Sequence, residues 1–182
     1  MNVRLKLWVG GLASIILCAC AGAGVDVHKE GLNHESIIQA GIKKGRLVDE
    51  VTYVSGQPSP EQLQVAAAAG IKHVINLRPK AELKWDEAEA VAALGMQYHF
   101  IPVAGAADVN TSNAARLQLA IQGLRGEPVL LHCASGNRVG ALVALQAGLD
   151  QPGEVEAAIA KGRRWGLTRL EAVVRQQLMA LD

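Results

Sequence analysis

The sequence predicts an α/β fold: a mostly parallel central sheet of four to five strands, flanked by helices and followed by a helical C-terminus. Three observations predict it. Short β-rich runs alternate with helical patterns from Leu47 onward, which implies parallel pairing through right-handed crossovers. The run Pro128-Val129-Leu130-Leu131-His132 is too continuously apolar to leave one face wet, as in strands covered on both faces. Beyond Arg138 every pattern is helical.

The elements follow in order. Val51 to Ser55 is a β-rich run ending at Gly56, with Gln57-Pro58 as the turn. Ser59-Pro60-Glu61-Gln62 reads as a capping box with Pro at the first helical position, opening a helix that closes at Gly70. Lys72 to Leu77 forms the second strand, ended by Arg78-Pro79 because proline cannot continue a ladder. A helix is expected from Glu82 to Leu94, then a third strand from Tyr98 to Val103 and a loop from Ala104 to Asn110. Ala114, Leu117, Ile121 and Leu124 recur at helical spacing and place a helix over 112–124. Pro128 to His132 is the fourth strand; helices follow to about Leu149 and from Gly153 to Lys161. Thr168 and Glu171 are spaced as a second capping box for the last helix.

Half of the 182 residues are hydrophobic and 19% are charged, so one domain with its own core is expected and disorder throughout is excluded. With 3% aromatics, that core is aliphatic and alanine-rich. A formal charge of +1 gives no basis for nucleic-acid binding.

The first residues read as an export signal. Arg4 and Lys6 precede an apolar run, Leu7 to Leu17, which is short for a span of roughly 20 residues. Leu17-Cys18-Ala19-Cys20 is similar to a bacterial lipoprotein box, with Cys20 as the lipidated residue; cleavage after a small-x-small pattern is the alternative. Both readings place the protein outside the cytoplasm, periplasmic and anchored to the membrane by lipid in the first. Loss of residues 1–19 leaves 16 basic against 17 acidic residues, so charge adds nothing to membrane attachment. Residues 20–46 read as a tether ending in one weak helix or turn, and 47–182 as the domain.

One constellation carries chemistry: His132-Cys133-Ala134-Ser135-Gly136-Asn137-Arg138, at the end of the fourth strand and the start of a helix. A strand, tight loop and helix N-terminus cradle an anion with main-chain N–H groups and the helix dipole. The same field favours thiolate at Cys133. Gly136 permits a curl that a Cβ would obstruct, and the forked guanidinium of Arg138 suits two oxygens of a tetrahedral anion. His132 is expected to orient the loop by hydrogen bonding. Arg78, at a strand end, is expected to pair with Glu82. No His, Cys or carboxylate spacing suits a metal, no glycine-rich nucleotide loop is present, and no cofactor is expected.

Tyr53-Val-Ser-Gly-Gln-Pro-Ser-Pro60, Val74-Ile-Asn-Leu-Arg-Pro79, Ile101-Pro-Val103 and the His132–Arg138 stretch resemble the phosphatase-like domain of bacterial beta-lactamase hydrolase-like proteins. That domain is similar to the dual-specificity branch of the cysteine phosphatases. The resemblance covers roughly residues 47–180. It implies Cys133 as nucleophile, residues 134–138 as anion cradle and Arg138 as oxyanion clamp. Three departures accompany it. Four residues separate Cys133 from Arg138 where the usual cysteine-phosphatase loop has five, and rhodanese-type sulfurtransferases have about this shorter length. Val139 stands where Ser or Thr is usual, with Ser135 as a substitute hydroxyl. The acid expected just after the third strand is replaced by Ala104 and Gly105, which leaves Asp108 as the nearest carboxylate, for proton donation or for capping the next helix.

Three activities fit: a cysteine-dependent phosphatase acting on a phosphorylated small molecule or protein, a sulfurtransferase acting on a sulfur-containing anion through a persulfide, and a non-catalytic anion-binding module.

Overall fold

The computed structural model describes residues 31–180; the segment expected to be an export signal and Cys20 lie outside the described residues. Five strands form one sheet: β1 (Arg46–Leu47), β2 (Thr52–Ser55), β3 (His73–Asn76), β4 (Gln97–Phe100) and β5 (Val129–His132), in the spatial order β1-β2-β5-β3-β4. β1 runs antiparallel to β2, and every other pairing is parallel. The expected mostly parallel sheet is therefore present, with β5 at its centre.

Among the described residues seven α-helices cover it: α1 (His34–Gln39), α2 (Pro60–Ala68), α3 (Glu87–Ala93), α4 (Thr111–Gly123), α5 (Asn137–Asp150), α6 (Val155–Arg164) and α7 (Glu171–Met179). Side chains alternate across each strand, and two cores result. Val54, Ile75, Leu131 and Cys133 pack with Leu117, Leu142, Ile159 and Val174 on the α4–α7 side. Tyr53, Val74 and Leu130 pack with Ile37, Leu63 and Val91 on the α1–α3 side.

The capping box at Ser59 forms as expected: its hydroxyl accepts from the Gln62 amide, and Gln62 returns the bond to the Ser59 amide. The second one does not form. Leu170 is the cap of α7 and makes no side-chain cap bond. The Thr168 hydroxyl donates instead to Asn137, and Glu171 pairs with Arg163 and Arg175.

The helix expected from Glu82 is shorter. Lys80–Glu82 is a single 3-10 turn, and α3 starts only at Glu87, where Asp86 caps the Glu89 amide. Glu82 is engaged by two arginines described below, and those bonds replace helical continuation.

The tether is also shorter than expected. Leu32, Ile37 and Ile42 are buried in the α1–α3 core, and the Asn33 amide donates to the Ala69 carbonyl. Residues 32–46 thus belong to the domain. Three apolar residues spread over eleven positions lack a period that sequence alone would resolve.

Candidate active site

The site forms where β5 gives way to α5, at the carboxyl end of the central strand, as expected of ligand sites in parallel sheets. Cys133 follows β5 directly and is 1% exposed, its side chain on the α4–α7 core. Gly136 caps α5 with φ +80°, a left-handed conformation that favours glycine. A Cβ there would meet nothing closer than 3.5 Å, so the backbone angle, and not space, calls for glycine. Asn137 and Arg138 open α5, whose first amides have no intrahelical acceptor.

The loop is fixed on two sides. Ser135 forms a bridge to Gly56, whose amide donates to the Lys43 carbonyl. The Asn137 side-chain oxygen accepts from the Thr168 amide (2.8 Å), the Thr168 hydroxyl (3.1 Å) and the Leu170 amide (3.4 Å). Its side-chain oxygen therefore holds the α6–α7 connection.

Arg138 turns inward. One terminal nitrogen donates to the Val103 carbonyl at 2.7 Å and the other to Glu82 Oε2 at 2.7 Å. Arg78 forms the expected pair with the same carboxylate, Nε to Glu82 Oε2 at 3.1 Å, and donates to Gln57 Oε1. Burial pushes the Glu82 carboxyl up, but the hydrogen bonds and charges of Arg138 and Arg78 outweigh it and hold the group below its ordinary value.

His132 departs from expectation. Its ring is fully buried, and neither nitrogen makes a hydrogen bond to the loop. Alternation along β5 sends it to the opposite face from Cys133. There Nε2 stands 3.1 Å from Glu87 Oε1, too close to be indifferent but off hydrogen-bond geometry.

Glu87, 1% exposed, is the residue the sequence did not single out. It accepts from Gln57 Nε2 (2.9 Å) and Asn76 Nδ2 (2.7 Å), with the Tyr98 hydroxyl at 3.5 Å. Burial, aided by the charge of Glu87, pushes the Tyr98 phenol up to about 12 despite the Asn76 hydrogen bond. The only sequence signal for Glu87 is its place in a run of acids, Asp86-Glu87-Ala88-Glu89, a pattern that local sequence cannot tell from an exposed helix N-terminus.

Asp108 ends a 3-10 turn, Ala106–Asp108, in the β4–α4 connection. Its carboxylate accepts from the Ala104 amide at 2.7 Å, next to the Val103 carbonyl that Arg138 grips. It does not cap α4; Asn110 does. Val139 is fully buried and Ser135 half-buried. Ala134 is exposed. Among the described residues no cluster of three or more His, Cys, Asp or Glu is placed to hold a metal.

Known proteins share this sequence pattern and this fold. The family model of the beta-lactamase hydrolase-like protein, phosphatase-like domain, matches residues 45–149. The chain belongs to that family. A beta-lactamase hydrolase-like protein of Xylella fastidiosa (strain Temecula1) is 36% identical over 118 residues, 60% of this chain and 27% of the relative. The chain thus spans about a quarter of the length of the curated relatives it matches. Among solved structures, the catalytic core of the PP-IP phosphatase SIW14 of S. cerevisiae aligns with TM-score 0.61 and 16% identity, over 78% of this chain and 86% of that one. A DUF442 protein of Shewanella putrefaciens aligns with TM-score 0.60 and 24% identity, over 80% and 96%. The chain shares its fold with these phosphatases, and the family it belongs to is that of a phosphatase-like domain.

Proposed function

We propose that this protein hydrolyses phosphomonoesters through a phosphocysteine on Cys133, in the cell envelope. The observation that carries the reading is Arg138: on the first turn of α5, five residues past Cys133, its guanidinium is held inward by Glu82 and Val103. Cys133 Sγ attacks phosphorus and the ester P–O bond breaks. Arg138 and the loop amides hold the equatorial oxygens. Asp108 supplies the proton to the leaving oxygen, water then cleaves the P–S bond, and phosphate leaves. The substrate is a phosphorylated small molecule or protein. Arg4, Lys6, the apolar run and Leu17-Cys18-Ala19-Cys20 support export and lipidation at Cys20.

A second reading, a Cys133 persulfide in sulfur transfer, is favoured by the four-residue loop and by Val139, which offers no hydroxyl to the departing sulfur. The full chain and its Cys133→Ser variant are assayed on an aryl phosphate, on an alkyl phosphate and on thiosulfate with cyanide. Phosphate release that the variant lacks is expected. Asp108→Asn is expected to slow the alkyl ester by about a hundredfold, and the aryl ester less, because the poorer leaving group needs the proton. Thiocyanate formation without phosphate release overturns the phosphatase in favour of the persulfide.

A further inference from the structure

Two groups behind the loop have no place in the reaction steps above: the buried Glu87 and its half-buried partner Gln57. Glu87 collects contacts from three strands, through Asn76 of β3, Tyr98 of β4 and His132 of β5. A carboxyl group sealed from water persists only where hydrogen-bond donors or an opposite charge compensate it. Gln57 uses both ends of its amide. Its nitrogen donates to Glu87 and its oxygen accepts from Arg78. Arg78 then holds Glu82 through the side chain and, at 2.6 Å, through the main-chain carbonyl, and Glu82 holds Arg138. A continuous chain of contacts therefore runs from the residue before the nucleophile to the guanidinium five residues beyond it.

We propose that Glu87 and Gln57 are positioning residues: the buried carboxylate, anchored on the sheet, aims Arg138 at the bound anion through Gln57, Arg78 and Glu82. The inference rests on the anion cradle proposed above. Sign separates it from a simple field effect. Removing a negative charge near an anion site by itself tightens anion binding, whereas removing the anchor of the clamp weakens it.

The test is sulfate binding by calorimetry to the full chain, with aryl phosphate turnover measured alongside. Wild type reports on the cradle itself, and absence of sulfate binding there overturns the cradle and this inference with it. Glu87→Gln is expected to weaken sulfate about fivefold, and Gln57→Ala, at a half-buried loop position that folding tolerates better, by a similar factor. In the Gln57→Ala background Glu87→Gln is expected to add less than about twofold, because the link is already cut. Tighter or unchanged binding in Glu87→Gln, unchanged binding in Gln57→Ala, or fully additive losses overturn the positioning role while leaving the phosphatase reading to the turnover assay.

Discussion

Gly166 lies against the loop that carries Cys133, with φ +106°, and a Cβ on it would stand 2.9 Å from the Gly136 carbonyl oxygen. Both facts demand glycine: the angle disfavours an L side chain by about 1 kcal/mol, and the contact is with main chain that has no rotamer to turn. Gly166→Ala is expected to lower kcat/KM on an aryl phosphate at least about tenfold, since displacement of reacting groups by a fraction of an ångström is enough. Steady-state kinetics check it, and an unchanged kcat/KM would show that the α6–α7 connection does not shape the site. Cys133 and Arg138 were legible as a pair because their chemistry is carried in one short stretch. Glu82 was seen only as a partner for Arg78, since the second bond, to Arg138, spans 56 positions and no local pattern encodes it.

Between elements, β3 and β4 are tied at the end of the sheet far from Cys133. His73 Nδ1 lies 3.2 Å from His99 Nε2, and His73 Nε2 lies 2.9 Å from Glu127 Oε2, in a recess that Arg125 also lines. Burial, and then the charge of His73, hold the His99 imidazole below its ordinary value of 6.5. The folded chain releases that proton more readily than the unfolded one, so the unfolded chain binds more protons as pH drops. Stability is therefore complete above about pH 6.5 and erodes as pH falls through that value toward the lowered one. His99→Gln is expected to flatten the stability profile between about pH 7 and 5, read by thermal melts across that range. An unaltered slope would assign the pH dependence elsewhere. At this scale the strand and helix alternation was legible from Val51 to about Leu149, the start of α3 excepted, because period and turn residues agree. The Thr168–Glu171 spacing misled because Asn137, 31 residues away, competes for the same hydroxyl.

Across the whole molecule, the boundary at residue 47 suggested by composition cuts through a core. Ile37 is fully buried, with Ile42 at 4% and Leu32 at 7% exposure. Each contributes about 1.5–3 kcal/mol by burial, and the sum is comparable with the about 5–15 kcal/mol that holds a domain folded. A chain beginning at 47 is expected to lose its cooperative melt, whereas one beginning at 31 retains it; circular dichroism on both decides, and equal melts would show the segment to be dispensable. The same long-range logic joins the C-terminal helices to the site. The amides of Thr168 and Leu170 share one acceptor atom, the side-chain oxygen of Asn137. Their deuterium uptake is therefore a built-in gauge of how often the residues around the sulfur come apart, readable without labelling the sulfur itself.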